Sequence, residues 1–159
     1  MAVKVVIAGL AVDPDKEAPI VVLKEVEGDR VLPIVIGFTE ARAIAIKLEN
    51  IDFPRPLTHD LLASVIEKLG GKLEKVEVCD LVDNTFYALL HIRVGDKVVT
   101  IDARPSDSIA LALRTGADIT VNEKVFEKTF VGKKTESEGE MWKEILESLD
   151  DEDFGKYKV

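Results

Sequence analysis

The feature that most constrains the fold is a strict two-residue alternation near the middle of the chain. In the segment TFYALLHIRV, Phe86, Ala88, Leu90 and Ile92 fall on one face of an extended strand, and Tyr87, Leu89, His91 and Arg93 fall on the other. Residues 72–103 predict three such strands, with tight turns at Asp83-Asn84 and Gly95-Asp96. Consecutive strands joined by tight turns predict an antiparallel sheet with one buried face.

Further strands and helices flank this segment. A first strand is predicted at residues 3–7, and two more surround Gly28-Asp29, where glycine favours a type II′ turn. Pro33 indicates that one of these strands lies at a sheet edge or contains a bulge. Helical spacing predicts helices that begin near residues 39, 58 and 105, followed by a short strand and a short helix that ends near residue 130. This order predicts an α+β fold, with a largely antiparallel sheet packed with helices in a single compact domain at residues 1–131.

The pattern changes after residue 131. Residues 132–140 have no apolar periodicity and read as a linker, and residues 151–159 read as an acidic tail. Residues 141–150 predict a short amphipathic helix with Trp142 on its apolar side. A helix of this length is marginal alone, so we expect it to dock on the domain or on a second subunit. A homodimer or a higher homo-oligomer is therefore predicted, because the sheet edges also need cover.

The amino-acid composition restricts the cellular compartments in which we expect the protein. Cys79 is the single cysteine, which excludes an internal disulfide and a cysteine-based zinc cluster. No apolar run is long enough to cross a membrane, and the N-terminus lacks the layout of a signal peptide, so we expect a cytoplasmic protein with no membrane partner. Glutamine is absent while lysine and glutamate are abundant, which hints at a thermophilic source.

The charge is unevenly distributed. The net charge is −9, and residues 136–159 hold nine acidic and three basic side chains, so they carry most of it. The rest of the chain is still slightly acidic. A protein that binds nucleic acid by charge needs a positive surface, so such binding here requires a local basic patch.

Polar side chains suited to phosphate chemistry occur at the three predicted helix starts. One group lies at the first helix, another at the segment RPLTHD before the second, and a third at DARPSD, where a strand meets the third. The candidate residues are Glu40, Arg55, Thr58, His59, Asp60, Asp102, Arg104, Ser106 and Asp107. Helix N-termini present free N–H groups and a partial positive charge, so they favour anionic ligands.

These residue types predict three roles. Phosphate binding is assigned to two arginines and two hydroxyl side chains, Arg55, Arg104, Thr58 and Ser106. Hard divalent cations prefer carboxylate oxygens, so Mg²⁺ or Mn²⁺ is predicted to bind at Asp102, Asp107, Asp60 and Glu40. The predicted catalytic set is His59, Asp60, Asp102 and Asp107, with His59 as the proton carrier. Together these parts are what metal-assisted cleavage of a phosphodiester requires.

A structural interpretation of the same residues stays open. Thr39, Thr58 and Ser106 are suitable N-cap residues, and an acid in the first turn of a helix is stabilising on its own. Arg104 can simply pair with Asp102 or Asp107. By spacing alone, helix capping is the commoner role for such residues.

The segments LPIVIGFTEARAIAIKLE, PRPLTHDLL and TFYALLHIRVGDKVVTIDARPSDSIALALRTGA resemble the bifunctional nuclease domain family. The resemblance runs from about residue 3 to about residue 130 and retains all three candidate groups. It implies cleavage of DNA and RNA by a self-associating α+β domain. We therefore expect a metal-dependent nuclease without strong sequence preference, with nucleic acid as substrate. The alternative is a non-catalytic, self-associating module that binds a protein partner or a small anionic ligand.

Overall fold

The computed structural model describes residues 1–13, 15 and 17–131, with side chains described as far as Thr129. The predicted linker, the predicted helix at 141–150 and the acidic tail lie outside the described residues. Within the described part of the chain, no helix is long and apolar enough to cross a membrane.

Seven strands of the described residues form one sheet. They are β1 (Ala2–Asp13), β2 (Ala18–Glu25), β3 (Val31–Val35), β4 (Gly71–Val82), β5 (Thr85–Val94), β6 (Lys97–Ala103) and β7 (Asp118–Asn122). Their spatial order is β3-β2-β1-β7-β4-β5-β6. Strands β4 and β7 are parallel, and the other neighbouring pairs are antiparallel. The prediction of a largely antiparallel α+β fold is confirmed.

Four helices complete the described residues: α1 (Phe38–Leu48), α2 (Thr58–Lys68), α3 (Pro105–Thr115) and α4 (Glu123–Val131). Helix α3 follows the usual start and stop signals, with Pro105 in its first turn and Gly116 in the left-handed conformation at its end. Helix α3 packs against both α1 and α2, and it also contacts the central strands β4 and β5. It therefore holds the starts of all three helices near the β5–β6 side of the sheet.

The core follows from the strand alternation. Ala88, Leu90 and Ile92 of β5 are buried, whereas Tyr87 and Arg93 on the other face are exposed. The buried face of β5 and β4 packs with α1 and α3 in one hydrophobic cluster. The tight turn at Asp83-Asn84 is also present, with both residues at positive φ.

Two local predictions about turns and caps were wrong, and one about Pro33 is confirmed. Gly28 does not adopt a positive φ, and β2 and β3 are joined by a longer loop, so no two-residue type II′ turn forms. The predicted N-caps Thr39, Thr58 and Ser106 lie inside their helices, because the N-cap residues are Gly37, Leu57 and Arg104. Pro33 lies in β3, which is an edge strand.

Candidate functional site

The starts of α1, α2 and α3 surround one pocket of about 880 Å³. Its floor is apolar and comes from β5 and β6, while its rim carries histidine, arginine and carboxylate side chains. In each helix, the residues that line the pocket recur at spacings of three, four and seven positions, so they lie on one helical face. The charged and histidine residues that line the pocket are Glu40, Arg42, His59, Asp102, Arg104, Asp107 and Arg114.

A chain of polar contacts runs along this rim. His59 Nε2 lies 2.9 Å from Asp107 Oδ1, and Arg104 Nε donates to Asp107 Oδ2 at 2.9 Å. The same guanidinium places Nη1 3.0 Å from Glu40 Oε1, so it joins α1 to α3. The hydrogen bond with Asp107 raises the pKa of Arg104, which keeps the guanidinium charged.

The position of Glu40 depends on Gly37. A Cβ atom at Gly37 would lie only 2.1 Å from Glu40 Oε2. Glycine therefore lets the Glu40 carboxylate fold back over the start of α1 while it still contacts Arg104.

Asp60 forms a separate cluster with Arg114. Its Oδ2 accepts the backbone N–H of Leu57 at 2.9 Å, and its Oδ1 accepts Arg114 Nε at 2.8 Å. The Arg114 side chain is only 3% exposed and also donates to the carbonyl oxygens of Ala43 and Ala110. Burial raises the pKa of Asp60, but the bonds from Leu57 and Arg114 outweigh it, so the pKa lies below its usual value. Asp60 thus fixes the start of α2 to the other two helices.

The remaining predicted residues lie at the border of the pocket or outside it. The register pairs Asp102 with Leu89, whereas Ile101 is paired with Leu90 of the pocket floor. Because alternate strand residues point to opposite faces, Asp102 lies on the sheet face away from the helices, although it borders the pocket. Thr58 borders the pocket and Ser106 is buried in α3, while the exposed Arg55 lies outside the pocket lining.

Two arginines at this pocket were missed by sequence reasoning. Arg42 is exposed at the pocket and, among the described side chains, has no ion-pair partner. Arg114 is buried beneath the pocket. For each of these two arginines, the sequence contained a signal in its helical spacing. Arg42 lies three residues after Thr39 on the same face of α1, and Arg114 lies seven residues after Asp107 on the same face of α3.

The described residues do not fit a metal site made by protein ligands alone. No group of three or more histidine, cysteine, aspartate or glutamate side chains among them is arranged to hold a metal ion. Both Asp60 and Asp107 already bind arginine, and Asp102 lies on the opposite sheet face from the pocket floor. Binding of Mg²⁺ or Mn²⁺ therefore stays a prediction of the sequence.

The fold and the pocket define a class of protein: an α+β domain in which three helix starts gather cations, carboxylates and a histidine over a sheet. The model of the bifunctional nuclease domain matches residues 21–134. This match covers more than half of the chain, and the chain belongs to the bifunctional nuclease domain family.

Relatives of known sequence agree with this assignment. An uncharacterized protein of Mycobacterium tuberculosis is 40% identical, over 93% of this chain and 95% of its own length. Bifunctional nuclease 2 of Arabidopsis thaliana is 31% identical over 65% of this chain, and bifunctional nuclease 1 of Oryza sativa subsp. japonica is 29% identical over 66%. The aligned regions span about a third of these plant proteins.

Proposed function

We propose that this protein hydrolyses phosphodiester bonds of DNA and RNA in the pocket between α1, α2 and α3, without strong sequence preference. The observation that carries the proposal is the contact chain from His59 through Asp107 to Arg104 at the rim of that pocket. The plant relatives are named bifunctional nucleases, which supports the reaction class.

The His59–Asp107 pair supplies a proton acceptor. A carboxylate oxygen can only accept a hydrogen bond, so the Nε2 of His59 carries the hydrogen that points to Asp107. The lone pair then lies on Nδ1, where it can take a proton from the attacking water. Asp107 orients the ring and stabilises the positive charge that develops on it.

Phosphate binding belongs to two arginines at the rim. Arg104 uses Nε and Nη2 on Asp107 and Nη1 on Glu40, which leaves one N–H on each terminal nitrogen. Its side chain is 65% exposed, so these two donors are accessible to a ligand. Arg42 adds a second cation at the same pocket. We propose that both arginines contact phosphate oxygens, because planar guanidinium groups match them.

The second candidate function is the non-catalytic module. One observation favours it: Glu40, Asp60 and Asp107 are each paired with an arginine, as helix-linking acids would be. The net charge of −9 also disfavours binding of a polyanion. In this candidate function the pocket would accept a small anionic ligand at Arg42 and Arg104 without turning it over.

The two functions are separated by the rate of hydrolysis of fluorescent single-stranded DNA and RNA. The comparison uses His59→Gln and, as a matched control, His91→Gln, because His91 lies on the other sheet face beside Glu77. Loss of a general base typically costs about 10²- to 10⁴-fold, so we expect His59→Gln to lose at least 10²-fold and His91→Gln to retain the rate. Assays with EDTA, Mg²⁺ and Mn²⁺ test the predicted metal requirement.

Equal rates in both histidine variants, or a rate that disappears on further purification of the wild-type protein, would favour the non-catalytic module. Circular dichroism on both variants confirms that each one is folded before its rate is compared.

A further inference from the structure

The pocket is larger and more apolar than the binding of a phosphate group requires. It measures about 880 Å³, and large aliphatic side chains make up much of its lining. Leu90 and Ile92 of β5 belong to its floor and are each only 5% exposed. The other large aliphatic residues that line it are Ile46, Leu57, Leu62, Ile66, Ile101 and Leu111. A ligand that fills this pocket therefore needs a sizeable apolar part as well as an anionic group.

Two of these aliphatic side chains are open to a ligand. Leu62 is 41% exposed and Ile101 is 46% exposed, although both line the pocket. Ile101 pairs with Leu90, so it lies on the helix-covered face of the sheet, and Leu62 follows His59 by three residues on the same face of α2. Because burial of apolar surface is favourable, a ligand that covers these two side chains gains affinity from them.

The arginines of the rim define the charge of that ligand. Arg104 keeps two N–H donors accessible, and Arg42 has no ion-pair partner among the side chains that the structure describes. The carboxylates of Glu40 and Asp107 are both paired with Arg104, which offsets their negative charge. The rim therefore suits an anionic group such as phosphate, while the apolar part of the same molecule lies on the floor.

We propose that the floor of the pocket binds one unpaired nucleobase of the nucleic acid whose phosphate lies at Arg42 and Arg104. This base subsite rests on the proposed function, which places a phosphate group at the same rim. A nucleobase has two apolar faces and is joined to phosphate through its sugar, so a nucleotide has both parts that the pocket can bind. A paired base is stacked within its duplex, so the base has to leave the stack before it enters the pocket.

The aliphatic side chains of the floor bind a base without identifying it. Bases are distinguished by hydrogen bonds to their edges, and leucine and isoleucine side chains have no hydrogen-bonding groups. Contact with the face of a base tolerates any sequence, because every base has such a face. The base subsite therefore agrees with the proposed hydrolysis of both DNA and RNA without strong sequence preference.

Ligand titrations of the isotope-labelled full chain, followed by nuclear magnetic resonance, test the base subsite without requiring hydrolysis. The probes are AMP, UMP and ribose phosphate, which has a sugar and a phosphate but no base. We expect AMP and UMP to bind at least about tenfold more tightly than ribose phosphate, because the base buries apolar surface. We also expect the dissociation constants of AMP and UMP to agree within about fivefold, because contact with base faces is tolerant of sequence.

Ile101→Thr tests the floor directly, and Val98→Thr is its matched control. Both residues lie on β6 and are almost equally exposed, at 46% and 45%, but Val98 pairs with Arg93 on the other sheet face. Threonine keeps the branched shape that suits a strand, yet it places a hydroxyl group beneath the base. We expect Ile101→Thr to weaken AMP binding about fivefold and to leave ribose phosphate binding unchanged. Val98→Thr should bind both probes as the wild-type protein does.

Equal affinity of the wild-type protein for ribose phosphate and the two nucleotides, or no binding of any probe, would overturn the base subsite. Wild-type affinity for AMP in a folded Ile101→Thr protein would overturn it as well. Tighter binding of hexyl phosphate than of AMP would instead assign the floor to an alkyl chain.

The base subsite and the proposed function fail in different ways. A protein that binds AMP as expected but hydrolyses no oligonucleotide keeps the base subsite and contradicts the proposed hydrolysis. A protein that hydrolyses oligonucleotides but binds ribose phosphate as tightly as AMP keeps the proposed function and loses the base subsite.

Discussion

Arg104 divides its guanidinium between two carboxylates and the open side of the pocket. Asp107 and Glu40 hold it from α3 and α1, so its orientation is fixed before any ligand arrives. Because this guanidinium is already ordered, it loses little further conformational entropy when it binds phosphate. Arg104 therefore joins α1 to α3, as an ion-pairing arginine would, and remains exposed enough for the binding role proposed above.

Replacing Arg104 by alanine should weaken substrate binding more than it slows the chemical step. A hydrogen bond to a charged group contributes about 1.5–3 kcal/mol, so we expect KM for an oligonucleotide to rise about 10- to 100-fold. Steady-state kinetics measure this change. Arg93→Ala is the matched control, because Arg93 is 46% exposed and paired with Glu74 on the other sheet face. An unchanged KM in Arg104→Ala would remove Arg104 from the binding site.

The sequence predicted candidate residues for the site, but it did not predict most of the contacts between them. The sequence left Asp102 and Asp107 open as partners of Arg104, and in the structure Arg104 donates to Asp107. The contact between His59 and Asp107 joins residues 48 positions apart, so it depends on how α2 packs against α3. Asp102 shows a further limit, because its sheet face is set by the pairing of β6 with β5.

At the scale of elements, the Asp60–Arg114 pair joins three helices. Arg114 reaches Ala43 in α1 and Asp60 in α2 from its position near the end of α3. The catalytic role of Asp60 stays a prediction, whereas its contacts with Leu57 and Arg114 give it a structural role. By fixing the start of α2, Asp60 also holds the backbone of the adjacent His59.

Asp60→Asn should lower the free energy of unfolding by about 2 kcal/mol at pH 7, because a charge-assisted bond to a buried arginine is weakened. The folded pKa of Asp60 lies below its unfolded value, so this contribution is present above about pH 4. It is lost as the pH falls through the folded pKa. Urea unfolding at pH 7 and at pH 3 measures the difference, which should shrink at the lower pH.

Asp118→Asn is the control for that experiment. Asp118 pairs with Lys4 on the surface, where an ion pair contributes about 0–1 kcal/mol. A loss in Asp60→Asn no larger than in Asp118→Asn would show that the pair does not join the helices in the way its geometry indicates.

For the whole molecule, the sequence predicted the architecture but not the complete topology. Alternation in residues 72–103 defined three strands and their turns, because tight turns join neighbouring antiparallel strands. The parallel pairing of β4 with β7 was not predicted. Strand β7 is inserted between β1 and β4, and a contact between segments so far apart in sequence leaves no local pattern.

In the proposed function, His59 and Asp107 act as one catalytic unit in the pocket. A double-mutant cycle on kcat/KM for single-stranded DNA and RNA tests this most directly, with His59→Gln, Asp107→Asn and the double variant. Residues that act as a unit are strongly non-additive, so we predict that the double variant is no slower than His59→Gln alone. Losses that multiply in the double variant, or single variants as active as the wild-type protein, would contradict the claim.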